Sequence, residues 1–229
     1  MAATSKSSKS RKTDPETAIL NAAFETMAET GWHDLSMMDV ARAADMPLSE
    51  IYAVFPDKTA LITGLSRAAD RAVLAEEHSS MLDEPARDRL FDILMQRFDA
   101  LDPYKAGIKR LARDLRRDPG SALAGAPQLG RSMAWMLEAA GLSASGLRGC
   151  LRVAGLSGVW LSASRAWLTD DTPDLSRTMA ALDKALSRAD ELARTVERRT
   201  PGGRNAGAPE GGAPKPNGSG GAEGGAAPE

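Results

Sequence analysis

The chain has 229 residues, 42% hydrophobic and 26% charged, a balance that suits a soluble globular protein of one or two domains. Formal net charge is −2, so no overall basic excess points to nucleic acid. The single cysteine, Cys150, excludes an intramolecular disulfide framework and fits a reducing cytoplasm. Met1 to Lys12 is Ser/Lys-rich without an apolar segment, unlike a secretory signal. The longest uncharged stretch of the apolar region near residue 160, Val153 to Ser164, is closed by Arg152 and Arg165 and is too short to span a membrane. These features place the chain in the cytoplasm.

Residues 1–12 read as a disordered arm carrying Lys6, Lys9, Arg11 and Lys12. Thr13 with Glu16 forms a capping-box pattern around Pro15 and opens a first helix with Ile19, Ala23, Phe24 and Met27 on its apolar face. Gly31 is placed to end that helix in a left-handed cap. Ser36 and Asp39 repeat the capping box and start a second helix at Met37, with Met37, Val40, Ala41 and Ala44 on one face. Asp45 stands where the chain reverses, in a left-handed conformation that Asp tolerates better than most residues. Pro47 presets the next helix, which directs Ile51, Val54 and Phe55 inward and Leu48, Ser49 and Tyr52 elsewhere until Pro56. Helix, tight turn, short helix is the geometry that sets a recognition helix in a DNA major groove.

Asp57 caps a long helix expected from Lys58 to about Ser79. Pro85 belongs to the first turn of a helix striped by Leu90, Leu94, Phe98 and Leu101, broken at Asp102-Pro103. Tyr104, Ile108, Leu111 and Leu115 repeat the stripe. A helix through Met133, Met136 and Leu137 ends at Gly141. Leu147 to Leu168 is apolar nearly all round and rich in small residues, which predicts a buried helix that a neighbour approaches closely. In the last helix Leu175, Met179, Leu182, Leu186, Ala189, Ala193 and Val196 keep an unbroken heptad seam. Residues 200–229, dominated by Gly, Pro and Ala, read as a disordered tail. The fold class is all-α, with about nine helices. The domains are the arm at 1–12, a helix-turn-helix domain at 13–57, a helical ligand-binding and dimerisation domain at 58–199, and the tail at 200–229.

No enzyme signature is present. His33 and His78 lie far apart without carboxylates or Cys at ligand spacing, so neither a metal site nor a cofactor is expected. Phe91, Met95, Phe98, Met133, Met136, Trp160 and Trp167 combine Met and aromatic side chains suited to an adaptable pocket for a small apolar ligand, and equally suited to ordinary core.

The stretch from Ile19 to Ile62 resembles the N-terminal domain of TetR-type transcriptional regulators. The matching residues are Ala22-Ala23-Phe24, Gly31-Trp32, Val40-Ala41 with Ala43-Ala44, Tyr52, and Phe55 with Lys58 and Leu61. The chain departs from the family at three positions: its turn Gly is Asp45, its small polar residue at the recognition-helix start is Pro47, and a frequent small residue is Glu50. The resemblance implies a homodimeric, ligand-responsive DNA-binding regulator, a repressor, whose partner is a double-stranded DNA operator. It assigns phosphate contacts to Tyr52 and Lys58 and leaves Ser36, Met37, Leu48 and Ser49 as candidates for base readout. It also implies that the small-residue helix and the heptad helix form a four-helix dimer interface. The basic helix carrying Lys105, Lys109, Arg110, Arg113, Arg116 and Arg117 then reads as a solvated face that complements an acidic head. Residues 13–65 hold nine carboxylates against Arg42 and Lys58 alone.

The segment Trp167-Leu168-Thr169-Asp170-Asp171-Thr172-Pro173-Asp174, with Thr178 and Leu182-Asp183, is similar to the C-terminal part of a TetR-fold lipid-binding accessory protein of ubiquinone biosynthesis. It implies an alternative in which the fold is kept for lipid binding without DNA.

Overall fold

The computed structural model describes residues 14–78, 83–118, 120 and 125–199, and places nine α-helices among them. These are α1 (Pro15–Thr30), α2 (Met37–Ala43), α3 (Leu48–Val54), α4 (Lys58–Leu74), α5 (Ala86–Leu101), α6 (Lys105–Leu115), α7 (Ala126–Ala139), α8 (Gly146–Trp167) and α9 (Ser176–Arg199), with a 3-10 turn at Asp102–Tyr104. Helices α1 to α3 pack on one another, and α4 leaves that head to join α5 and α7. The body is completed by α7 on α8, α8 on α9, and α9 back on α5, while α6 lies along α1. One apolar core runs through both parts, from Ile19, Phe24 and Ile51 to Phe98, Met133 and Trp167. No helix of the described residues is long and apolar enough to cross a membrane.

The local signals place most helix starts. Ser36 and Asp39 form the reciprocal capping box, and Asp57 accepts the Ala60 N–H at 2.8 Å. Asp45 sits at φ +52°, and the Met46 N–H returns to the Ala41 carbonyl at 3.0 Å, closing α2. At α1, Asp14 is the N-cap and makes no side-chain cap bond; Thr13 lies outside the described residues, and Glu16 instead pairs with Arg71 at 2.8 Å.

Five expectations need correction. Helix α4 ends at Leu74, short of Ser79, because past Val73 the inward positions would fall to Glu76 and Glu77. Val54 is exposed; only Ile51 and Phe55 of its trio turn inward. Leu175 precedes α9 at φ +51° and is not part of the helical seam. Helix α8 is not buried all round, since Leu147 and Leu151 are 79% and 60% exposed. The heptad seam is not an open surface, because Leu182 and Leu186 are buried inside the chain, where α9 meets α8 and α5.

Two buried polar knots fix the body. Arg97 Nε meets Asp70 Oδ1 at 3.1 Å, Ser132 Oγ donates to the same oxygen at 2.6 Å, and the guanidinium lies 4.4 Å from the Trp160 ring centroid. Removing one partner of such a pair strands a buried charge, so its worth lies in orienting α4, α5 and α7 more than in net stability. The second knot is Asp170, fully buried between α8 and α9. Its Oδ2 accepts the Thr178 N–H at 2.8 Å and hydroxyl at 2.7 Å; its Oδ1 accepts the Thr172 hydroxyl at 2.5 Å. These bonds explain the Asp-Asp-Thr-Pro-Asp…Thr pattern as a helix-start device. They also hold Leu175 in a left-handed conformation that costs a bulky residue about 1–2 kcal/mol.

Burial alone would raise the Asp170 pKa, but the Thr172 and Thr178 hydrogen bonds outweigh it and hold the carboxyl far below the usual range. A depressed native pKa stabilises the fold above the unfolded-state value and is lost as pH falls below about 4. Asp170→Ala, which strands the Thr178 donors, is expected to lower stability by about 1–3 kcal/mol in urea unfolding at pH 7. The deficit relative to the unmodified chain should shrink as the titration is taken down in pH.

Candidate nucleic-acid interface

Helices α2 and α3, seven residues each, stand on the outer side of the head. Val40, Ala41 and Ile51 anchor them to α1, with Met37 half-buried behind. What remains exposed is Ser36 at the cap, Met38, Arg42 and Ala43 from α2 and Leu48, Ser49, Glu50, Tyr52, Ala53 and Val54 from α3, with Asp39 half-buried. Of the six residues assigned to DNA, Ser36, Leu48, Ser49 and Tyr52 are exposed, while Met37 is partly committed to packing. Ser36 is also engaged, since its hydroxyl donates to Asp39 Oδ2 at 2.5 Å and accepts the Asp39 N–H at 3.1 Å. Tyr52 is 69% exposed. Its ring does not fill the small core; the whole side chain is presented outward.

Lys58 is placed differently from a free phosphate ligand. Its Nζ donates to the carbonyls of Trp32 at 2.6 Å, Leu35 at 3.0 Å and His33 at 3.3 Å, and lies 4.7 Å from the Trp32 ring centroid. An ammonium has three donors, and these carbonyls take them. Partial burial lowers its pKa, against the opposing pull of Asp34. Arg42, the other cation of the head, pairs with Asp39 at 3.3 Å. No local sequence signal marks this arrangement, because the carbonyls that Lys58 meets lie 23 to 26 residues earlier in the chain.

The same turn is held from its far side. Asp114 of α6 accepts the Trp32 N–H at 2.8 Å and faces Arg110 Nε at 3.5 Å. Gly31, at φ +92°, holds a conformation that strains any other residue, and a Cβ there would lie 2.7 Å from Arg110 Nη2 and 2.9 Å from Asp114 Oδ2, displacing those side chains. Gly107 lets α6 rest on the Phe24 carbonyl. The basic helix thus meets the head through Asp114 and Arg110, and Lys105 turns to the body, donating to the Asp170 carbonyl at 2.7 Å.

The seven aromatic and Met residues assigned to a pocket come together as packed core. Phe98 stacks on Trp160 at 4.3 Å and tilts against Trp167 at 5.5 Å; Met133 and Met136 are buried, and Phe91 and Met95 lie at the edge. Two clefts lie elsewhere. One of about 170 Å³ is lined by Phe24, Tyr104 and Gly107, and one of about 470 Å³ by Asp99, Lys105 and Thr172 among others. Among the described residues, Trp167 Nε1 is buried and meets no hydrogen-bond acceptor.

Lys58→Met is therefore expected to destabilise the chain by about 1–3 kcal/mol in chemical denaturation, because three carbonyls lose a charged donor. Tyr52→Ala, at an exposed position, should stay within about 0.5 kcal/mol of the parent.

Residues 19–65 match the family model of bacterial regulatory proteins of the tetR family. The chain is similar to a solved TetR transcriptional regulator from Nitrosomonas europaea, at 25% identity over 79% of this chain and 100% of that one, with a TM-score of 0.59. A TetR transcriptional regulator from Rhodococcus sp. RHA1 shares the fold at 18% identity, covering 79% of this chain and 95% of that one, with a TM-score of 0.51. No curated protein matches the chain. The N-terminal helices of the chain thus match the tetR family model, and the described residues have an all-helical fold similar to that of the solved Nitrosomonas europaea regulator.

Proposed function

We propose that the chain is a homodimeric, ligand-responsive transcriptional repressor that binds a double-stranded DNA operator through α2 and α3. The observation that carries this reading is the helix-turn-helix itself: a capped α2, a left-handed Asp45, and an α3 whose Ser49, Tyr52 and Ala53 face outward. On this reading Tyr52 and Ser49 meet the phosphates and groove, and Lys58 acts by shaping the turn that carries Ser36. With Lys58 engaged and Arg42 the one other Lys or Arg of residues 13–65, further cations come from the arm at residues 1–12, which lies outside the described residues. Deleting the arm should reduce the slope of log affinity against log salt by up to about 0.9 per lost phosphate contact, measured by fluorescence anisotropy on a selected duplex. An unchanged slope would show that the arm does not touch DNA.

The dimer is supported by the open side of α8. Leu147, Leu151, Ala154, Gly158 and Leu161 recur at one-sided helical spacing and are exposed, and Leu192 of α9 is exposed as well. A Cβ at Gly155 or Gly158 would meet nothing within 4 Å, so a second helix has room to approach. An apolar strip of this kind is covered in solution by a partner, here a second copy. Leu151→Glu with Leu161→Glu should give a folded monomer in sedimentation equilibrium; a parent chain already monomeric at micromolar concentration would refute the dimer. The pair Leu182 and Leu186 cannot serve this test, since charging them would disrupt the core of each chain.

The effector belongs, on this reading, to the aromatic cluster. A small apolar molecule with one hydrogen-bond acceptor would satisfy the stranded Trp167 Nε1 on parting Phe98 from Trp160. The alternative, a lipid-binding accessory protein without DNA, draws on the same indole and on the engagement of Lys58. Selection of duplexes from random and genomic DNA by the purified protein separates the two. Enrichment supports the regulator, whereas absence of any duplex binding in low salt, with a co-purifying isoprenoid or fatty acyl lipid in mass spectrometry, supports the alternative.

A further inference from the structure

The outward face of the head is chemically unusual for one that reads bases. Helix α3 carries no Arg, Asn or Gln, and the one Arg between Ser36 and Phe55 is Arg42 of α2, which is exposed and pairs with Asp39 at 3.3 Å. Those are the side chains shaped for bidentate contacts with guanine and adenine. A single exposed apolar side chain on a protein surface requires no explanation. Here four large ones, Met38, Leu48, Tyr52 and Val54, stand exposed on two helices of seven residues each. Leu48 is 43% exposed and opens the recognition helix, next to the exposed hydroxyl of Ser49.

Thymine shows the major groove a C5-methyl beside the O4 acceptor, whereas cytosine shows a bare C5 and an amino donor. A leucine next to a serine matches the first pattern, an apolar surface for the methyl and a hydroxyl that donates to O4. The four carboxylates around the face, Asp39, Asp45, Glu50 and Asp57, offer acceptors only and gain nothing from thymine O4 or guanine N7 and O6. We infer that α3 reads its operator through the C5-methyl groups of thymine, with Leu48 the specificity-determining side chain and Ser49 its hydrogen-bonding neighbour. This rests on the DNA-binding reading above and names the partner as a duplex with thymines at fixed positions of each half-site.

The test uses the full chain. Duplexes selected from a random pool are resynthesised with deoxyuridine replacing each conserved thymine in turn, which keeps O4 and base pairing and removes only the methyl. Affinity is read by fluorescence anisotropy. The expected result is a loss of about fourfold for each contacted methyl, the value of one buried methyl or methylene group. Leu48→Ala should bind the thymine and deoxyuridine duplexes equally, with a melting curve like the parent's because the side chain is exposed. Equal binding of both duplexes by the parent chain, or full methyl discrimination retained by Leu48→Ala, would overturn the inference while leaving DNA binding intact. Failure to enrich or bind any duplex would overturn it together with the regulator reading, a different and recognisable outcome.

Discussion

The peptide unit of Trp32 is the point on which the arrangement of the head depends. Its N–H is taken by Asp114 at 2.8 Å and its carbonyl by Lys58 at 2.6 Å, so one residue of the α1–α2 turn is gripped from α6 on one side and α4 on the other. Both grips are charge-assisted, the stronger kind of hydrogen bond, and one lies in a buried setting where water competes poorly. Backbone carbonyls in a turn have no ladder partner, and here the Lys58 ammonium serves three of the α1–α2 turn at once. The position of Ser36, and hence the start of α2, follows from where this turn is held.

That clasp gives the glycines their meaning. Gly31 is fixed by conformation, and a side chain there would displace those of Arg110 and Asp114. Gly107 is fixed by contact alone, the place where α6 touches the backbone of α1. The body answers with the Asp170 and Arg97 knots, each buried and each satisfied by named partners. The molecule therefore uses polar groups at its joints and apolar packing along its helices, as expected where orientation must be unique.

Local chemistry made much of this legible in the sequence. The capping box at Ser36, the cap at Asp57 and the left-handed Asp45 are decided within four residues, and all three are found where the sequence places them. Tertiary decisions were not legible. Nothing local distinguishes a lysine that meets solvent from one that meets three carbonyls 23 to 26 residues away. A heptad seam is the same pattern whether its partner is another chain or the adjacent helices, and in α9 Leu182 and Leu186 face their own chain. Conversely, the all-apolar look of α8 concealed two surfaces, one bearing Trp160 and Trp167 in the core and one bearing Leu147 and Leu151 in the open. The Asp170 motif was visible as a pattern, but its meaning as a helix-start knot needed the fold.

The electrostatics of the head bear directly on how a regulator of this kind would work. Phosphate neutralisation supplies most nonspecific affinity for DNA, and residues 13–65 hold nine carboxylates against Lys58, which is engaged in the protein, and the exposed Arg42. On the proposed reading one head alone would bind weakly, and useful affinity would come from two heads on one dimer, where the second contact benefits from high effective concentration. Weak heads make the geometry decisive: if a ligand alters the spacing so that only one head fits its groove, nearly all the affinity is lost. On the proposed reading, the acidic charge that looks unsuited to DNA binding would sharpen the response to ligand, because each head, apart from its arm, adds little to hold the protein on its site.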